Sequence, residues 1–229
     1  MRRSTVWGFI VAGALALAAA LYSYGAGGDE AQAHPGEITP ALRAATLNLD
    51  SVPRQDRAWI QGAIATARPE AQRLIAEVDG LVTMHTDLHG GSKIYLGVPD
   101  EAIGVTMFNG YTADVALDGN RLNGDRALDR NMVVLHEFGH VIDDLLVDDD
   151  LLHELDAGIP AGLCRTDLQD LGGCTAIEER FADTFAKWAL GGRFSLAGAG
   201  YGIPTPPSLE DWGAPLGRLA AELDVNARR

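Results

Sequence analysis

Residues Asn131 to Val147 read Asn-Met-Val-Val-Leu-His-Glu-Phe-Gly-His-Val-Ile-Asp-Asp-Leu-Leu-Val. The stretch is apolar on both sides of a His-Glu-Phe-Gly-His core and contains no proline, so the pattern predicts a single helix. Gly139 reads as a tolerated small residue within it. Helical positions four apart share one face. His136 and His140 can therefore each offer an imidazole nitrogen to one metal ion, and zinc accepts such nitrogens at about 2.0–2.1 Å. Glu137 lies beside them, placed to take the proton of an attacking water. The motif supplies two ligands and a base, and a third ligand has to come from elsewhere. A string of this form also arises by chance, with two helix-face histidines buried against their neighbours. That plainer reading leaves Glu137 without a purpose.

The search for a third ligand leads to Glu178-Glu179-Arg180-Phe181-Ala182-Asp183-Thr184-Phe185-Ala186. Thr175 to Glu178 has the form of a capping box and opens a helix here. Glu179 and Asp183 are four apart and share a face, while Phe181 and Phe185 share another that suits a core. One carboxylate can bind the ion. The other, one turn on, can hold a ligand histidine in the right tautomer. Glu178 is assigned to the capping box, because as a ligand it would have Ala182 one turn on. Asp143, one turn past His140, is a weaker candidate ligand. Leu146 stands where a metzincin would place its third histidine. His85 and His89 are also four apart, but Gly90-Gly91 follows them and a surface loop accounts for the pair.

The combination of His136-Glu137-Phe138-Gly139-His140 with Glu179-x-x-x-Asp183 resembles the gluzincin class of zinc metallopeptidases. Glu-x-Phe-Ala-Asp-x-Phe-Ala is similar in particular to the catalytic domain of the anthrax lethal factor type. The resemblance implies His136, His140 and Glu179 as metal ligands, Glu137 as general base, and Asp183 as support for a histidine, His136. It implies a zincin-like α+β fold with a small mixed or antiparallel sheet. An edge strand, Tyr111 to Leu117, would lie over the active-site helix and pair with an extended substrate. The match covers two helices and, loosely, the sheet order before them. One departure stands out. The lethal factor type carries a tyrosine just before its glutamate ligand, whereas Asp170-Leu171-Gly172-Gly173-Cys174 contains none. Tyr201, Tyr111 and His153 are the candidates left for stabilising an oxyanion, a role worth about 3–4 kcal/mol of barrier.

Composition narrows the class further. The chain has 229 residues, 47% of them hydrophobic, and a net charge of −14. Such a chain can bury a core and is a poor partner for nucleic acid, whose phosphates want a basic face. Part of the charge gathers at Asp143, Asp144 and Asp148 to Asp150, which reads as a solvated helix end rather than a calcium loop. Arg2 and Arg3, the apolar run Val6 to Leu21 and the small-x-small site Ala31-Gln32-Ala33 form an export signal. The run is short against the about 20 residues of a spanning helix, so cleavage is favoured over an uncleaved anchor. Removing residues 1–33 deletes Arg2, Arg3, Asp29 and Glu30, and leaves the charge at −14. A secreted or extracytoplasmic location favours a disulfide between Cys164 and Cys174.

The remaining chain gives one domain over residues 34–229. Helices are expected from Pro40 to Leu47, from Ser51 to Thr66 with an opening near Pro53, and from Pro69 to Val78, ending at Asp79-Gly80. Strands are expected at Leu81–His85, Lys93–Val98, Ile103–Phe108 and Tyr111–Leu117, the last two joined by a two-residue turn at Asn109-Gly110. Asp125 is the expected cap of the His136 helix. Leu151 to Cys174 reads as loop, the Glu179 helix should stop at Gly191-Gly192, and Ser208 to Leu223 reads as a last helix. The α+β chain would therefore have a mainly helical C-terminal half. The expected activity is hydrolysis of peptide bonds by a monomer that binds one zinc ion and a peptide or protein substrate, with no membrane contact beyond the signal. Two rivals are a non-catalytic, zinc-stabilised module of the cell envelope and a zinc amidase acting on cell-wall peptides.

Overall fold

The structure is a computed structural model, and it describes residues 8–11, 47–90, 98–124, 128–161, 176–194 and 202–226. The helix expected from Pro40, the strand expected from Lys93, the cysteine pair and Tyr201 lie outside these residues.

The central element is α4 (Arg130–Leu146). Asp129 starts it: the carboxylate accepts from the backbone N–H groups of Asn131 and Met132. The cap is therefore Asp129, and Asp125 lies outside the described residues. Met132 to Asp143 are buried without a break. A helix buried on every side belongs in the middle of a fold, and α4 is packed by α1 (Arg54–Thr66), α6 (Ile177–Ala189) and strand β3 (Ala102–Phe108).

The sheet is mixed. β3 and β4 (Ala113–Leu117) are antiparallel, and β2 (Val82–His85) runs parallel to β4 on its other side. β4 is thus an interior strand, which corrects the expectation that Tyr111 to Leu117 forms an edge. The outer edge of β3 carries β1 (Gly8–Val11), paired antiparallel and placing Ile10 opposite Gly104. The β3–β4 connection is also longer than a two-residue turn. Asn109 donates to the Thr112 carbonyl, Phe108 and Ala113 are the last pair, and Gly110 has φ +75°.

Before the sheet, α1 follows Pro53, and α2 (Pro69–Glu77) begins with proline at its first turn. Asp56 of α1 is buried and accepts hydrogen bonds from Trp59, Thr86 and Asn123. This ties α1 to the end of β2 and to α3 (Gly119–Gly124), a short helix. After the sheet the described residues are helical. Residues 149–157, read as helix end and loop, form α5 (Asp149–Ala157), because the Asp148 carboxylate caps it by accepting from Leu151 N–H. Acidic residues in its first turn suit the helix dipole. The acidic run is thus a helix start, and Asp143 is buried rather than solvated.

α6 has Ala176 as its N-cap with no side-chain cap bond, and Thr175, the first residue of the expected capping box, lies outside the described residues. It ends as expected, with Gly191 and Gly192 at positive φ. Phe181 stacks on Phe185 at 6.0 Å, and the two rings meet Trp212 and Trp188 respectively. Trp212 belongs to α7 (Leu209–Asn226) and donates its indole N–H to the Leu155 carbonyl. One apolar core joins these helices to the sheet, giving a mixed α+β chain. Among the described residues no helix is long and apolar enough to cross a membrane.

Candidate metal centre

His136 and His140 emerge from one face of α4, as their spacing requires. The helix that faces them is α6, and the approach depends on Gly139. A β-carbon at Gly139 would stand 2.6 Å from the Ala182 α-carbon. Gly139 is therefore a requirement of the helix contact, not merely tolerated. The close approach brings Glu179 to the two histidines. Nε2 of His136 and Nε2 of His140 are 3.1 Å apart. Glu179 Oε2 is 3.2 Å from the first and 3.5 Å from the second. Three ligands about 2.05 Å from a tetrahedral ion lie about 3.3 Å from one another, so this triangle has the size such an ion needs. Among the described residues this is the one group of three or more ligand-type side chains close enough to share an ion.

The three residues and Glu137 are at most 4% exposed. Burial of this much ionisable surface has to be offset by pairing or by a cation. Burial pulls the His140 imidazole down, but the Glu179 carboxylate, with Glu137 and Asp143 behind it, pushes it up to about 9. Burial raises Glu179 as well, yet His140 and the hydrogen bonds of both imidazoles leave it below the usual carboxylate range. With His140 raised, a proton held on its ring would offset the buried Glu179 charge where no cation does.

Glu137 is held from the sheet side. Thr106 of β3 donates its hydroxyl to Glu137 Oε2 at 2.6 Å. Oε1 has no hydrogen-bond partner among the described residues. Space for that oxygen comes from Gly104, two residues before Thr106 on the same face of β3, where a β-carbon would stand 2.3 Å from Oε1. Burial raises the Glu137 carboxyl, against the lowering influence of His136, His140 and the Thr106 bond. A carboxylate with one free oxygen and a raised pKa suits a general base.

Asp183 is fully buried one turn beyond Glu179, near enough for His136 to bear on its carboxyl. Its ion-pair partner is Lys187, whose Nζ is 2.5 Å from Oδ2. Glu178 is part-exposed where Glu179 is buried, so the ligand register falls on Glu179. Asp143 acts on the charge of His140, but it is not one of the three clustered ligand residues. His85 ends β2 with its ring between Ser51 Oγ (3.2 Å) and Asp114 Oδ1 (3.0 Å). His89 meets the Ala102 carbonyl. These two histidines are fixed by separate partners and share no site. Of the oxyanion candidates described, Tyr111 is 80% exposed in the β3–β4 turn and His153 is exposed on α5; neither joins the buried cluster.

Three residues of the site escape the motif reading: Gly104, Thr106 and Lys187. The Asp183-x-x-x-Lys187 spacing, continuing the Glu179 face by one more turn, was the available signal for the last. Comparisons with protein-family models, with curated proteins and with solved structures found no match to this chain.

Proposed function

We propose that this chain is a secreted, zinc-dependent endopeptidase of gluzincin type. The observation that carries the reading is the buried triangle of His136, His140 and Glu179 with the free Glu137 oxygen beside it. The motif resemblance to the gluzincins, and to the lethal factor type within them, points the same way. His136, His140 and Glu179 would hold the ion, which supplies a Lewis acid that polarises a carbonyl and acidifies water. Glu137 takes the proton from the attacking water and passes it to the departing amine. Thr106 keeps Oε2 occupied, so Oε1 is the oxygen that moves the proton. Asp183 steadies the histidine side of the site.

The non-catalytic zinc module is the second reading, favoured by the near-complete burial of the four residues and the lack, among the described residues, of a tyrosine or third histidine in the buried cluster. A substrate has to find an opening that a structural zinc does not need. One experiment separates the two. The full chain is loaded with zinc, its metal content is measured, and a broad peptide library is digested. Peptidase function predicts one zinc per chain and cleavage that Glu137→Gln abolishes while retaining zinc. Zinc with no cleavage supports the module, and cleavage confined to cell-wall peptides supports the amidase. Failure to bind stoichiometric zinc overturns the metal reading altogether. Glu179→Ala should weaken zinc binding, whereas Glu178→Ala should not.

A further inference from the structure

Lys187 stands one turn beyond Asp183 on α6, and the reaction described above makes no use of it. It is 2% exposed, and a buried ammonium persists only where partners replace its water. Its Nζ pairs with Asp183 Oδ2 at 2.5 Å and donates to the Ile203 carbonyl. It also lies 5.7 Å from the centroid of the Phe194 ring. A carboxylate, a carbonyl and an aromatic face thus replace its hydration. α6 in this way sets a ligand, a carboxylate and a cation in one row: Glu179, Asp183 and Lys187. The carbonyl contact ties the far end of the row to the chain that leads into α7.

We propose that Lys187 is a positioning residue of the metal centre: its ion pair anchors Asp183, the buried carboxylate one turn beyond the ligand Glu179, and so governs how tightly the ion is held. Two opposite effects distinguish this from a bystander charge. A bystander ammonium near a divalent ion repels it, and its removal tightens binding. An anchor supports a ligand through the carboxylate behind it, and its removal loosens binding.

The inference rests on the metal reading, and the test tells their failures apart. Zinc affinity is measured by chelator competition on the full chain for wild type, Lys187→Met, Asp183→Asn and the double variant. The visible spectrum of the cobalt-loaded forms is recorded in parallel, and the stability of each metal-free form separately. Lys187→Met and Asp183→Asn should each weaken zinc binding about 10- to 100-fold and shift the cobalt bands. The double variant should bind no more weakly than the weaker single one, because both changes cut the same link. Lys187→Met with wild-type or tighter affinity and an unchanged cobalt spectrum overturns the proposal, whatever its stability. If Lys187→Met does not fold, the double variant, which removes both buried charges, is compared with Asp183→Asn: equal affinity supports the anchor, and an affinity that differs from that of Asp183→Asn overturns it. A wild-type chain that binds neither metal brings down the metal reading and this inference with it.

Discussion

Gly139 of α4 and Ala182 of α6 are in direct backbone contact, with room for a hydrogen but not a methyl group between them. That contact sets the distance from His136 and His140 to Glu179, because all three ride on the two helices. Gly139→Ala gains helix propensity, but it must push α6 away or distort it, and overpacking of this kind costs about 1–3 kcal/mol. The expected result is a lower midpoint in urea and weaker zinc binding together. A variant with unchanged stability and unchanged affinity would show that the helices can separate freely.

Gly104 makes the second close approach, from β3 to the Glu137 carboxylate. Here the displaced group is a side chain, so the fold can survive the change. Gly104→Ala should keep zinc binding close to wild type and lower kcat by at least about tenfold, which is only about 1.4 kcal/mol of barrier. Metal content and steady-state peptide cleavage check it. Full activity in this variant would mean that Glu137 Oε1 does not have to stay where the structure puts it.

Thr106 offers a pH test. Its hydroxyl bond favours the charged form of Glu137, so Thr106→Val, which keeps the shape and removes the donor, should raise the Glu137 pKa. A general base works only when deprotonated. The acid limb of the kcat/KM profile should therefore move to higher pH, with the alkaline limb unmoved. A shift of the acid limb to lower pH would contradict the base assignment.

Much of this was legible in the residues and some was not, for identifiable reasons. His136, His140 and Glu179 could be found because helical spacing fixes which side chains share a face. Glu179 rather than Glu178 followed from the same spacing, since Glu179 has Asp183 one turn on and Glu178 has only Ala182. The helix ends at Pro53, Pro69 and Gly191-Gly192 were likewise local chemistry. What failed depended on distant partners. β4 looked like an edge because nothing in its own residues announces that β2 runs parallel beside it. α5 looked like loop because its start depends on Asp148, which was absorbed into an acidic run. Gly104, Thr106 and Lys187 carry no motif, and their roles exist only once β3 and α6 close on α4.

The ionisable groups of the centre pull the stability of the metal-free protein in one direction over most of the pH range. His140 is raised from 6.5 to about 9, so its contribution is complete below about 6.5 and is lost as pH climbs through about 9. Glu137 and Asp183 are raised by burial. They too hold protons more tightly when folded, and they favour the folded state less as pH rises above the usual carboxylate range. Glu179 is lowered below 4.5, so its contribution is present above 4.5 and fades as pH falls through its folded value. The chelated protein should therefore be most stable in mild acid and weaken steadily toward pH about 9. Zinc should reverse that trend, because its ligands bind it only when deprotonated and binding to the folded state alone stabilises it. Urea midpoints measured with chelator and with excess zinc across this range check both slopes. A chelated protein whose stability rises between about pH 6.5 and 9 would contradict the assignment of His140 as the residue that carries the proton in the empty centre.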